Sequence, residues 1–310
     1  MSDVGRIEPA TTIGLTRAST AVPLGEIRAR PSRARRFYWQ LRANPIAVVG
    51  AVLLLLLVAA ASFAPLLTSY DPLDAQTRER LQGPSRDHLF GTDELGRDLF
   101  SRVLYGGRLS LRAGFVAVGI AVLGGVVIGL IAGFYGRWVD MILMRLMDIL
   151  MAMPGILLTM IFIFSFGPTL TNAMIAIGLA SIPEYARIVR GSVLSAREFL
   201  YVDAARVTGT PPWLIMGRHI LPNVIAPVLV VATIGVGGAI LSLAGLSFLG
   251  LGAQPPNPEW GVLVSDGRAR LQTAWWITTF PGVVIAVAVL AINLVGDGLR
   301  DAFDPRLRGR

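Results

Sequence analysis

Long runs without charge leave this chain few possible folds. Ile46 to Leu67 is 22 residues with no charged side chain. As a helix it would be about 33 Å long at ~1.5 Å per residue, enough to cross a bilayer core of about 30 Å. In lipid the backbone must satisfy its own hydrogen bonds, so a lone apolar run of this length is read as a helix. It is too long for a signal-peptide core and lacks a small-residue cleavage site, so it reads as an uncleaved first span. Further spans are expected over Ala113 to Tyr135 (23 uncharged residues), Met141 to Phe166, Thr169 to about Ile182, Val224 to Ala253 (30 uncharged residues) and Ala274 to Gly296. The expected fold class is therefore all-α, a polytopic membrane protein with six transmembrane helices.

Composition agrees. The chain is 54% hydrophobic and 15% charged, where a soluble domain carries roughly 25% charged residues. With no Cys, disulfides, thiolate chemistry and Cys-based metal sites are excluded. His88 and His219 are the two histidines, too few for a His-rich metal site. The net charge of +8 rests on Arg, since the chain has no Lys. These arginines sit between apolar runs, which favours membrane orientation over nucleic acid as their explanation.

Four regions follow. Residues 1–43 form a cytoplasmic N-terminal segment, partly disordered, whose basic run Arg28 to Arg42 encloses Phe37, Tyr38 and Trp39 and suits anionic lipid headgroups. Residues 44–110 hold the first span and a polar extracytoplasmic loop. Residues 111–300 hold five spans and a cytoplasmic loop at 191–222, and 301–310 are a cytoplasmic tail.

Local signals sharpen these regions. Asp93 to Tyr105 is expected as a surface helix with Leu99, Phe100, Val103 and Leu104 on one face, broken by Gly106 and Gly107. Gly125, Gly129 and Gly133 recur every fourth residue, the spacing at which helices approach closely in lipid. Met141, Met144, Met147 and Met151 form a packing stripe. Arg145 and Asp148 are spaced to pair, and Pro154 should kink its helix. The 30-residue run exceeds one span, so Ala244 to Pro256 should fold back at the outer interface, with Gly245, Gly250 and Gly252 weakening the helix. Residues 254–273 read as a polar loop, and Trp275 and Trp276 as an interfacial belt.

An even number of spans puts both termini on one side. The N-terminal segment carries eight Arg and three acidic residues, residues 184–222 five and three, and the tail four and three. The positive-inside rule makes that side cytoplasmic. The 69–112 loop opposes this with seven Arg, balanced by seven acidic residues.

Glu198 to Asn223 is the long polar segment between apolar runs in the second half. The Ser195 to Glu198 spacing is that of a capping box, placing a helix start near Arg197. Gly209 should stop that helix in the left-handed conformation. Thr210 should cap a second helix with Pro211 at its first position, and Pro222 should end it. The unit would be two short helices with Gly209 as corner.

The run Asp203-Ala204-Ala205, three residues, Gly209, nine residues, then His219-Ile220-Leu221-Pro222 resembles the cytoplasmic coupling motif of ATP-binding-cassette importer permeases, with Asp203 where the family has Glu. HLFGTDELGRDLFSR at 88–102, LSFLGLGAQPPNPEWG at 246–261 and LVGDGLRDAFDPRLR at 294–308 are similar to segments of the dipeptide, oligopeptide and nickel group, in particular its C-type subunit. The resemblance covers nearly the whole chain. It implies a type I importer permease fold in a bacterial inner membrane, forming half of a pathway for di- or oligopeptides, with nickel or glutathione as alternatives. It also implies partners: a second homologous permease, two ATP-binding subunits, an extracytoplasmic peptide-binding protein and membrane lipid, with no nucleic acid. Asp203, Ala204, Ala205, Arg206, Gly209, His219, Leu221 and Pro222 would couple to the ATPases. The chain has no G-x-x-x-x-G-K-[ST] loop, so no cofactor is expected in it, and ATP and Mg belong on partner subunits.

Two other readings compete. A secondary transporter or channel would show inverted repeats and charges inside spans, and no clear repeat is present. A membrane enzyme would need a base; His219 is the candidate, and it adjoins the coupling motif. Asp93, Glu94 and Asp98 could hold a cation, but their spacing does not match a calcium loop.

Overall fold

The computed structural model describes residues 44–303. The N-terminal basic run, and the tail from residue 304, lie outside the described residues. Within them, the regular structure is helical, apart from one isolated bridge between Thr92 and Asp98.

Helix α1, Pro45–Ser62, starts at Asn44, whose side chain accepts from the Ile46 and Ala47 amides. Helix α2, Leu99–Tyr135, is followed by α3, Arg137–Met151, and α4, Gly155–Phe166. Helix α5 is Leu170–Ala196 and α6 is Leu200–Val207. A turn of helix, α7 (Pro212–Leu214), passes through a π-helical stretch, Ile215–Ile220, into α8, Leu221–Phe248. Helix α9, Trp260–Gly267, and α10, Trp276–Phe303, complete the chain. Among the described residues four helices are long and apolar enough to cross a membrane: Pro45–Ser62, Leu99–Tyr135, Pro212–Phe248 and Trp276–Phe303; the bent α3–α4 pair makes a fifth if taken as one span.

The pair α2 and α5 forms the spine. Gly125, Gly129 and Gly133 face Tyr185, Val189 and Val193 in turn, so the two helices run parallel. A Cβ at Gly129 would lie 2.5 Å from the Ala186 carbonyl oxygen and 2.7 Å from Val189 Cβ. The glycine repeat thus does what small residues do in lipid, bringing backbones into contact.

Several expectations are corrected. The helix expected over Asp93 to Tyr105 starts at Leu99, with Asp98 as N-cap, and runs unbroken through Gly106 and Gly107. Those glycines make room instead, Gly106 for the Pro258 carbonyl and Gly107 for the Trp260 ring. The third span is two helices bent by 86° at Ala152 to Pro154, a sharper break than a kink. Of the methionine stripe, Met147 is buried while Met141 and Met151 are exposed. Asp148 pairs with Arg187 on α5 at 2.6 Å rather than with Arg145, because the facing helix offers an extended partner. Helix α5 continues through Pro183 to Ala196, so residues 184–196 are helix and not loop.

The run after α8 turns back at Leu249 and Gly250 (φ 78°), later than Gly245, which remains helical. Residues 254–273 are more than a polar loop, since they include α9. Its N-cap Glu259 is fully buried, accepting from the Gly261 and Val262 amides (2.9 and 3.2 Å) and from Ser110 Oγ at 2.9 Å. Trp260 donates from Nε1 to the Val103 carbonyl at 2.9 Å. Trp275 is exposed as expected of a belt. Trp276 is buried and donates to the Thr92 carbonyl at 3.1 Å.

Candidate functional site

Helix α6 starts three residues later than the capping-box spacing suggests. Its N-cap is Phe199, which has no side-chain oxygen, and Ser195 Oγ instead donates back to the Gly191 carbonyl within α5. The helix end follows the expectation. Thr210 N–H donates to the Ala205 carbonyl and Gly209 N–H to the Arg206 carbonyl, each at 3.0 Å, with Gly209 at φ 75°. This is the paired bonding of a Schellman cap, which requires a left-handed residue.

One face of α6 is buried through Val202 and Ala205. Asp203, Ala204 and Arg206 are exposed, so the expected contact surface divides, with Ala205 facing inward. Arg206 pairs with Asp203 at 3.2 Å, and its guanidinium lies 5.7 Å from the Phe134 ring centroid near the end of α2. That cation–π contact links α6 to the end of α2.

The second half departs further from expectation. Thr210 caps nothing; Pro211 is the N-cap, and Pro212 opens α7. Pro222 does not end the helix. It lies in the first turn of α8, after the π-helical stretch, so Pro212–Phe248 forms one continuous helical unit. The proline falls at the junction with the π-helical stretch, where the i→i−4 ladder is already interrupted and a missing N–H costs least. His219 lies inside the π-helical stretch, half-buried. Leu221 is half-buried and Pro222 exposed.

Two residues missed by sequence reading hold the halves together. Asn223 Nδ2 donates to the His219 carbonyl at 2.8 Å and to Tyr201 Oη at 2.9 Å. Tyr201 on α6 is thereby tied to the start of α8. Three exposed apolar side chains also went unnamed: Leu200 (87% exposed), Val207 (88%) and Trp213 (69%). With Asp203, Ala204 and Arg206 they make the exposed surface of this two-helix knob part apolar and part charged.

The segment Asp98 to Pro222 contains this knob, its supporting helices and the glycine repeat. A family model described as the inner membrane component of binding-protein-dependent transport systems matches residues 125–309. This chain belongs to that family. A second model, the N-terminal transmembrane domain of oligopeptide transport permease C, matches residues 32–84 of the permease. The permease is 48% identical over 274 residues to the dipeptide transport system permease protein DppC of Alkalihalophilus pseudofirmus, covering 88% of this chain and 90% of that one. It is 43% identical over 286 residues to the probable D,D-dipeptide transport system permease protein DdpC of Escherichia coli, covering 91% and 96%. It is 42% identical over 275 residues to the glutathione transport system permease protein GsiD of Pectobacterium atrosepticum, covering 88% and 91%.

At the other end of the permease, the residues weighed as a cation site are used internally. Asp93 accepts from Arg97 Nε at 2.7 Å, from the Leu95 and Arg97 amides at 2.9 and 3.0 Å, and from Arg102 Nη1. Asp98 accepts from Ser101 and lies 2.9 Å from His88 Nδ1. Glu94 accepts from Arg270 Nε at 2.8 Å. Among the described residues no three His, Asp or Glu side chains are grouped to hold a metal. Arg102 is fully buried, with Asp266 3.6 Å away as a second, weaker partner. Burial pushes the Asp266 carboxyl above the usual carboxylate range, against the pull of Arg102 and Arg97.

Proposed function

We propose that this chain is a non-catalytic permease subunit of an ATP-driven importer, forming half of the path for di- or oligopeptides. The 198–222 knob takes up motion from ATP-binding subunits. The observation that carries this reading is the knob itself. It exposes Leu200, Val207 and Trp213 together with the Asp203–Arg206 pair, and its second half runs without interruption into α8. Exposed apolar side chains combined with a charged pair suit a protein partner. A push on such a knob would move α8 as a rigid element, the kind of domain movement that gates a distant site. ATP and Mg sit on the partner subunits. The other partners are a second homologous permease, an extracytoplasmic peptide-binding protein and lipid.

The six-span topology in a bacterial inner membrane is part of the proposal. Helices α2 and α5 are parallel, so the chain between them has to return, and the broken α3–α4 pair supplies that crossing. Helix α5 then crosses beside the apolar half of α2. With α1, α8 and α10 this makes six crossings and leaves both termini cytoplasmic. Residues 69–112 are then extracytoplasmic. Dipeptide permeases among the relatives favour peptide cargo, and the glutathione permease relative keeps glutathione as a second reading.

The test is peptide uptake by the reconstituted importer. Gly209→Val forces a β-branched residue into φ 75°, and Asp203→Arg removes the pairing partner of Arg206. Both should abolish uptake while the subunit still inserts and assembles. Normal uptake in both would refute a coupling role. Hydrolysis of ATP by the purified chain alone would refute the non-catalytic assignment. Impermeant thiol reagents should label a cysteine placed in 69–112 from outside.

A further inference from the structure

Glu184 lines an open cavity of about 460 Å³ between α4, α5, α8 and the corner joining α3 to α4. Its depth follows from the spine. Its neighbour Tyr185 backs onto Gly125, which lies near the middle of the uncharged run Ala113 to Tyr135. The carboxylate is therefore about 15 Å of helix from either end of that run at ~1.5 Å per residue. Charges at such depth are costly and mark substrate or ion paths.

Its neighbours on α5 are matched: Arg187 pairs with Asp148 at 2.6 Å, and Arg190 with Asp140 at 2.5 Å. Among the described residues Glu184 makes no hydrogen bond or ion pair, and it is exposed to the cavity. The hydroxyls beside it point the same way chemically. Ser181 Oγ donates to the Ile177 carbonyl and Thr159 Oγ1 to the Gly155 carbonyl, each at 2.8 Å. Their protons are committed, so toward the cavity both offer lone pairs. Glu184, Ser181 and Thr159 thus offer acceptors, one of them an anion, and Ser242 on α8 adds a hydroxyl that can donate or accept. The apolar walls include Ile156, Leu241 and Met153, and a flexible thioether adapts to varied side chains.

Resting on the proposed function, we propose that Glu184, with the Ser181 and Thr159 hydroxyls, is a station in the path for the ammonium group of the cargo. An ammonium brings three donors to three acceptors and a charge to a charge. The amino terminus is common to peptides whatever their side chains, and glutathione also carries an ammonium. A station of this kind therefore needs no recognition of the rest of the cargo.

The experiment uses the complete importer in proteoliposomes, with trialanine as cargo. Glu184→Gln should slow uptake about tenfold, equivalent to ~1.4 kcal/mol, without loss of the second permease on purification. The chain has no Cys, so Glu184→Cys gives it one reactive thiol. That variant should be equally slow, recover after modification by the anionic sulfonatoethyl methanethiosulfonate, and stay slow after the cationic trimethylammonium reagent. The parent importer, treated with both reagents, sets the baseline for thiols on the other subunits. Uptake by Glu184→Gln within twofold of the parent would overturn the station, as would equal effects of the two reagents. Dissociation of the second permease from Glu184→Gln would assign the carboxylate to the subunit interface and overturn it as well. An intact parent importer that takes up no trialanine would instead overturn the peptide reading on which the station rests.

Discussion

Replacing Asp93 with Asn tests the polar cluster beneath the 69–98 loop. Asp93 is buried and accepts four hydrogen bonds, two from arginine side chains that are themselves buried. Asn keeps the size, removes the charge, and turns one acceptor into an NH2 that faces arginine donors. Arg102 would then be fully buried with Asp266 at 3.6 Å as its nearest acid. Its Nε and Nη2 already lack partners among the described residues. Breaking a buried ion pair on one side costs about 3–5 kcal/mol. At a few degrees per kcal/mol for a chain of this size, the loss corresponds to a midpoint lowered by about 10 °C. Size-exclusion chromatography of a fluorescent fusion after stepwise heating reads that shift in detergent. Asp266→Asn should cost far less, because its pairing is longer and its carboxyl is partly solvated. Adding Arg102→Met to Asp93→Asn should recover part of the loss by removing the stranded charge. The reasoning is refuted if Asp266→Asn costs as much as Asp93→Asn, or if the double variant is no more stable than the single one.

Three further outcomes follow from the packing and charge. Gly129→Val should prevent α2 and α5 from meeting, since even a Cβ would come within 2.5 Å of a backbone oxygen; yield of monodisperse protein should fall sharply. Glu259→Ala removes the N-cap of α9 and leaves two amides and Ser110 without their acceptor, a loss of about 2–4 kcal/mol readable in the same heating assay. For Asp266 the folded-state value is raised, so its contribution to stability is present below the unfolded value and is lost as pH rises through the folded one. The midpoint of the parent should therefore gain on that of Asp266→Asn as pH falls from 7 toward the ordinary Asp value of about 3.9.

What could be read in the sequence was whatever depends on one residue's own conformation or on a strict repeat. Gly209 was legible because a left-handed corner selects glycine locally. The Gly125, Gly129 and Gly133 repeat was legible because it recurs with the helix period. Gly106 and Gly107 misled, since the same residue that breaks a helix also lets another chain segment lie against it, and only the Pro258 carbonyl and the Trp260 ring decide between the two. Arg145 and Asp148 misled in a similar way. A local three-residue spacing lost to Arg187, 39 positions away along the chain. Pro222 looked like a terminator because the widened π turn before it has no sequence signature. Tyr201 and Asn223, which fasten the knob, carry no motif that marks them.

The first helix has a consequence for how the protein is made. Helix α1 packs against α10, where a Cβ at Gly50 would lie 2.5 Å from Leu294 Cβ, and Asn44 donates to Asp301 at 3.0 Å. These partners are synthesised about 240 residues after Gly50, which at ~5–20 residues per second means about 10–50 s of waiting. Throughout that interval the close-packing face of α1 lies open in the bilayer to lipid, to an insertase or to another nascent chain. Truncation anywhere before α10 would therefore leave a membrane-inserted fragment whose first helix has lost its principal neighbour.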